Sequence, residues 1–345
     1  VRFGVAPDHP EVRNCSHSFE KLLQQNPQKL SLLTGQEINS LSQENLSQHD
    51  AIVVAIGAQG NKRLGIEGEE ECLKRRFALF HSKEFVACYN ESPTLEVELR
   101  STILNHLGNT KHLCIIGTGN VTIDIARILT KCKSNQIEGL NFLADRLKQL
   151  KMISIIGRRG PLQCTFTAKE LRQFLNCTTG TSSLNILEPN PHPFHQYLTN
   201  SSKEFTLNRQ ERRIFDIWNE KEFDSIDTAN SSNRCTVQFE FMQEPKRILF
   251  NSNGIKGIQV GENEFINNPQ SPNSASTQRV QLKRDCQLRT IDCQFIISSI
   301  GYSLKQPLFD LPFEGDRIKN EKGRVRTGVY VAGWCKTGPQ GDIAN

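Results

Sequence analysis

No stretch of the 345-residue sequence approaches the roughly 18 consecutive apolar residues that a membrane-spanning helix needs. C-x-x-C pairs are missing, and so is any His/Cys spacing that would ligate a metal. The eleven cysteines are scattered and odd in number, so they read as reduced thiols of an intracellular compartment, mostly filling cores, rather than as a disulfide framework. Strong charge of either sign is lacking too: a formal net charge of +5 gives no whole-protein signal for nucleic acid and leaves only local patches for an acidic partner. No internal repeat is read, and the first residues are expected to form neither a signal nor a transit peptide. The 37% hydrophobic content over this length suffices for globular cores in roughly two domains.

Against that background the informative stretch is Leu113-Cys-Ile-Ile-Gly-Thr-Gly-Asn-Val-Thr-Ile-Asp-Ile-Ala-Arg-Ile-Leu129. An apolar run ends at Gly117, Gly119 allows close backbone approach, and Val121, Ile125, Ile128 and Leu129 recur at helical spacing, which together predict a strand, a tight turn and a helix. The exposed N–H groups and dipole at such a helix start suit a diphosphate. Gly-x-Gly alone is a weak signal, and Thr122 stands where the full fingerprint has a third glycine. The next strand, Met152 to Ile156, sharpens it by running into Gly157-Arg-Arg-Gly160. An acidic residue at that place would take the ribose hydroxyls of NAD, whereas Arg158 and Arg159 favour the 2′-phosphate of NADP through paired, charge-assisted bonds.

Elsewhere the chain predicts a stiff loop at Ala6-Pro-Asp-His-Pro10, a helix from about Glu11 to Gln25, and a buried parallel strand over Asp50 to Gly57. Phe77 to Tyr89 reads as helical, and residues 133–149 as an extra helix with Leu140, Leu143 and Leu147 on one face. Thr167 is placed as the N-cap of a helix, with Glu170 at the capping-box position. Asn208 to Trp218 is a basic amphipathic helix. Thr236 to Phe241, Arg247 to Phe250 and Gly254 to Val260 alternate with a period of two and are expected as antiparallel strands. Residues 267–278 are expected as a loose polar loop, and two more buried strands are expected before Gly301 and Gly333.

Five motifs then fall in the order of a known family: Val1-Arg-Phe-Gly-Val-Ala-Pro-Asp-His-Pro-Glu-Val12, Gly117-Thr-Gly-Asn-Val121, Gly157-Arg-Arg-Gly-Pro-Leu-Gln163, Ser298-Ser-Ile-Gly-Tyr302 and Gly333-Trp-Cys-Lys-Thr-Gly-Pro-Gln-Gly341. The sequence resembles the adrenodoxin reductase family of mitochondrial NADPH:ferredoxin oxidoreductases over nearly its whole length, fading only over residues 178–290. The resemblance implies an α/β flavoprotein with two Rossmann-like dinucleotide-binding domains and an antiparallel β insertion. Residues 1–61 and 303–345 would form a discontinuous, incomplete FAD domain, and 62–302 the NADP domain. Thr118, Gly119, Asn120 and Val121 would bind the NADP diphosphate, Arg158 and Arg159 its 2′-phosphate, and Glu170 the same nucleotide. Trp334, Gly341, Asp342 and Ile343 match the flavin segment, and Ile38 a backbone contact to adenine. His9 and Asp124 match a polar pair near the flavin, candidates for coupling or proton supply. Arg209, Arg212 and Arg213 fall where the family meets its acidic [2Fe–2S] ferredoxin. A mitochondrial matrix location, at most peripheral to the inner membrane, follows from resemblance alone.

The departures are also informative. The family opens with a Gly-x-Gly-x-x-Gly unit that grips FAD, and nothing ahead of Val1 supplies it; the last helix, after Gly341, is absent as well. An incomplete copy of a longer protein and a degenerate relative both account for this, and the intact remaining motifs favour the first. Thr118, Thr122, Thr337 and Asp342 depart from the family's usual residues. Other NADPH-dependent flavin reductases of the glutamate-synthase-like group, and a non-catalytic NADP-binding relative that has lost FAD, are the alternatives.

Overall fold

The computed structural model describes residues 6–9, 11, 14–42, 46, 48–177, 184–225, 234–266, 275, 278–304 and 309–339. They divide into two compact units, one from residues 1–13 and 64–300, the other from residues 14–63 and 301–345.

The larger unit is built on a six-stranded, all-parallel sheet in the order Leu79–His81, Phe295–Ser298, His112–Ile116, Met152–Ile156, Cys235–Glu240, Leu184–Ile186. Its strands are near-continuous apolar runs because both faces are covered. Side chains alternate across the sheet, so Leu113, Ile115, Ile153, Ile155, Phe295 and Ile297 join a core with the helices Asn120–Lys133, Val97–Gly108 and Ala168–Asn176. Cys114, Ile116, Ile156 and Ile296 point the other way, onto Ile248, Ile255, Ile258, Val260 and Ile291 of an antiparallel insertion. That insertion pairs Gly254–Phe265 with Gln243–Asn251, Val280–Leu282 and Arg289–Asp292. The α/β class with an antiparallel insertion is therefore as expected.

Several local expectations need correction. Residues 236–241 were expected antiparallel, yet Cys235–Glu240 is a parallel member of the main sheet, flanked by Met152–Ile156 and Leu184–Ile186. Alternation reports which side chains are buried and carries no information on a neighbour's direction. Residues 77–89 split into the edge strand Leu79–His81 and the helix Ser82–Tyr89, whose start is held by a capping box of His81 and Glu84. The excursion after Lys133 yields a short helix, Asn141–Arg146, with Leu143 and Leu147 fully buried. The loose loop at 267–278 lies almost wholly outside the described residues.

In the smaller unit the helix Cys15–Gln25 accompanies a three-stranded sheet in which Ile52–Val54 runs parallel to Val329–Val331, and Arg324–Arg326 runs antiparallel to the latter. Its core gathers Val54, Leu304, Leu311, Ile318, Val329, Val331 and Cys335.

Candidate nucleotide site

The site begins where strand His112–Ile116 turns into helix Asn120–Lys133, at the carboxyl end of the parallel sheet. Gly117 adopts φ +126°, and a Cβ there would lie 2.2 Å from the Ser299 carbonyl oxygen, so only glycine fits. The amide of Gly117 donates to Ile156 O at 2.9 Å and that of Ser299 to Ile116 O at 2.8 Å, tying the turn to both neighbouring strand ends. Gly119 is different: a Cβ there would meet only Thr165 Oγ1, at 3.4 Å. The chain's own packing does not require that glycine, which leaves its open side as room for a ligand. No side chain caps the helix and no acid occupies its first turn, so its dipole is unopposed and suits an anion.

Thr118 Cγ2 is the atom that a Cβ on Gly157 would strike, so the Arg158-Arg159 loop starts in contact with the turn. Arg158 is exposed and Arg159 half-buried. Burial holds Arg159 below the usual arginine range, and the charge of Arg158 pushes the same way. An anion between two repelling cations relieves that strain, and guanidinium forks match phosphate geometry. Behind the loop, Thr165 donates through N (3.0 Å) and Oγ1 (3.2 Å) to Thr118 O, and the Thr167 amide donates to Asn120 Oδ1 at 2.8 Å. The side-chain carbonyl of Asn120 is thus committed to the neighbouring loop. Val121 is half-buried against the helical core.

Thr167 caps helix Ala168–Asn176 as expected, accepting from the Glu170 amide at 3.2 Å. The Glu170 carboxylate turns away from the cap and accepts from Arg127 Nη1 at 2.9 Å. Arg127 is 1% exposed and also holds Asp8, with Nε at 2.9 Å and Nη2 at 3.3 Å, and Asp124, with Nη2 at 2.7 Å. Lys131 adds a bond to Asp8 at 2.7 Å. Burial opposes ionisation of Asp8, but the bonds from Arg127 and Lys131 outweigh it and hold the carboxyl below its ordinary range. For Asp124 burial wins, with Glu170 and Asp8 pushing the same way against Arg127, and its pKa rises to about 6. His9 and Asp124 have different partners: His9 Nδ1 lies 3.1 Å from Glu11 Oε1, and its buried Nε2 has no hydrogen-bond partner among the described residues. Sequence reasoning missed Arg127. Its signal was present as a polar stripe, Asn120, Asp124, Arg127 and Lys131, along one face of an otherwise apolar helix.

In the smaller unit Ile38 is half-buried in an irregular segment, and Trp334 opens a short helix and stacks on Tyr302 at 5.6 Å and 26°. Gly341, Asp342 and Ile343 lie outside the described residues. On the larger unit, helix Arg209–Asn219 starts with a capping box of Asn208 and Glu211 and buries Ile214, Ile217 and Trp218. Arg209, Arg212 and Arg213 face solvent. A cleft of about 500 Å³ brings Arg213 together with Lys169 and Arg172 of helix Ala168–Asn176, two cations that sequence reasoning did not single out. Among the described residues no cluster of His, Cys, Asp or Glu could hold a metal, and no helix is long and apolar enough to cross a membrane.

No family model matches the chain. It is 29% identical to the mitochondrial NADPH:adrenodoxin oxidoreductase of Salvelinus fontinalis, over 100% of this chain and 66% of that protein. With the NADPH-ferredoxin reductase FprA of Mycobacterium leprae it shares 29% identity over 99% of this chain and 70% of that one. The structure of Mycobacterium tuberculosis FprA in complex with NADPH superposes with a TM-score of 0.77 at 26% identity, covering 99% of this chain and 70% of that chain. The chain thus spans about two thirds of the length of these relatives. The resemblance read from the five motifs is borne out along the whole chain.

Proposed function

We propose that this protein is an oxidoreductase that takes electrons from NADPH through FAD and delivers them to an acidic [2Fe–2S] ferredoxin, in the mitochondrial matrix. The observation that carries the reading is the uncapped turn at Gly117 to Asn120 in contact with the loop of Arg158 and Arg159, within a chain matched end to end by NADPH-dependent reductases. FAD, when bound, supplies the two-electron to one-electron conversion that a ferredoxin requires.

The protein's own contribution is placement and electrostatics. Gly119, Thr118, Asn120 and Val121 present backbone N–H groups to the nucleotide diphosphate, and Arg158 and Arg159 take its 2′-phosphate. Glu170 supports this site through Arg127 and the Thr167 cap. We assign the smaller unit to FAD, with Ile38, Trp334, Gly341, Asp342 and Ile343 beside it, and the larger unit to NADPH. Arg209, Arg212 and Arg213, the last of them sharing a cleft with Lys169 and Arg172, form the surface that steers the ferredoxin.

The test is spectroscopic and kinetic on purified protein supplied with FAD. The expected result is flavin absorption, reduction of ferricyanide by NADPH far faster than by NADH, and cytochrome c reduction only when a ferredoxin is added. Bound FAD that NADPH does not reduce, in a protein that nevertheless binds NADP+, overturns the flavin part of the reading and leaves a nucleotide-binding relative.

A further inference from the structure

Arg127 joins three stretches far apart in sequence: the loop at residues 6–9 through Asp8, its own helix through Asp124, and helix Ala168–Asn176 through Glu170. Two of these lead straight back to the nucleotide turn. Asn120, Asp124 and Arg127 lie at positions i, i+4 and i+7, one face over two helical turns. Glu170 sits one turn inside a helix whose cap, Thr167, is bonded to Asn120. The third leads to His9, which closes a turn by donating its amide to Ala6 O at 3.0 Å. We propose that Arg127 is a positioning residue that couples the nucleotide turn to the loop carrying His9, so that NADP binding at the turn orders that loop.

This rests on the reading of Gly117 to Val121 and Arg158-Arg159 as the NADP site. The physical reason that the coupling is strong is burial. A guanidinium that is 1% exposed and paired with Asp8, itself 7% exposed, is costly to separate from that partner, because either charge would be left buried and uncompensated. The fork also gives each partner a fixed direction, which a lysine would not. Three carboxylates face two cations, Arg127 and Lys131, with the thiols of Cys132 and Cys177 close enough to feel them; His9 and Glu11 pair beside the cluster. Shifting the Ala168–Asn176 helix or the turn therefore pulls on Asp8 through the same side chain.

Amide hydrogen exchange with and without NADP+ tests the coupling, together with NADP+ affinity. In the unaltered protein NADP+ should slow exchange at residues 117–121 and 157–160, and also at 6–11. In Asp8→Asn the slowing at 117–121 should persist, the slowing at 6–11 should vanish, and the NADP+ Kd should stay within about twofold. Glu170→Gln, which loosens the nucleotide side of the clamp, should instead raise that Kd by about fivefold. Arg127→Lys should lose the coupling while keeping the charge, and the thermal midpoint of each variant shows whether it folds. A merely structural arginine predicts that Asp8→Asn and Glu170→Gln weaken NADP+ binding in step with their loss of stability, and that result overturns the proposal. Slowing at 117–121 without slowing at 6–11 in the unaltered protein overturns the coupling alone. No slowing at 117–121 overturns the nucleotide reading and the coupling with it.

Discussion

The two units use the same sequence device and reach opposite outcomes. Apolar runs ending in glycine, Leu113 to Gly117 and Ile52 to Gly57, both become parallel strands. In the larger unit helices cover one face and the antiparallel insertion the other, so Leu113, Cys114 and Ile115 are all fully buried. In the smaller unit Val54, Val329 and Val331 face a core, while Val53 is 60% and Tyr330 38% exposed, and those two are register partners across the strand pair. A continuous apolar run announces a strand that is meant to be covered twice. It does not say what does the covering.

The largest effect that sharpens the contrast is on cofactor choice. Each charge-assisted pair to a phosphate contributes about 1.5–3 kcal/mol, so Arg158→Ala/Arg159→Ala should lose at least about a hundredfold in NADPH over NADH preference by kcat/KM. Trp334→Ala, in the other unit, should leave that ratio within about threefold. Selectivity that survives loss of both arginines, or that falls with Trp334, removes the division of labour between the units.

Burial provides the next test. Ile155→Ala in the doubly covered sheet should cost about 2–5 kcal/mol by denaturant unfolding, through lost transfer energy and the cavity left behind. Val53→Ala on the open face should stay within roughly 0.5 kcal/mol. Equal costs at the two positions would mean that the face bearing Val53 is covered in solution.

Much of this was legible because it is local. The strand, turn and helix around Gly117, the Arg-Arg loop after Ile156 and the cap at Thr167 each depend on residues within a few positions of one another. The pairing direction of Cys235–Glu240 was not legible, since its neighbours come from residues 152–156 and 184–186. Nor was the clamp on Arg127, whose partners are spread over residues 8 to 170. The basic cleft was half legible: Arg209 and Arg213 share a helix face in sequence, but only folding brings Lys169 and Arg172 beside Arg213.

A smaller effect is expected on the basic helix Arg209–Asn219. Arg209→Glu/Arg213→Glu should slow ferredoxin-dependent cytochrome c reduction by about tenfold at low salt and flatten its dependence on ionic strength, because surface charges steer partners over roughly one Debye length. Ferricyanide reduction should be unchanged, since a small acceptor needs no dock. An unaltered salt slope would make the helix a solvated face.

The smallest effect divides a single site by sign. Asp8 has its folded pKa depressed below the usual aspartate value, so its contribution to stability is present above that value and is lost as pH falls through the folded pKa. Asp124 is the opposite case: raised from 3.8 to about 6, it binds its proton more tightly folded than unfolded. Its effect on stability is therefore favourable below about pH 4 and declines as pH rises towards 6, by an amount on the order of 1 kcal/mol once screening at a 29% exposed side chain is allowed for. Asp8→Asn should destabilise at pH 7 and converge on the unaltered protein in acid. Asp124→Asn should do relatively best at pH 7 and lose that relative advantage as pH falls below 6. Urea unfolding of both variants from about pH 2 to pH 7.5 measures the two slopes, that of Asp8 below its unfolded value near 3.8 and that of Asp124 between there and about 6. Slopes of the same sign would mean that the two aspartates do not divide the charge of Arg127 in the way their burial and partners imply.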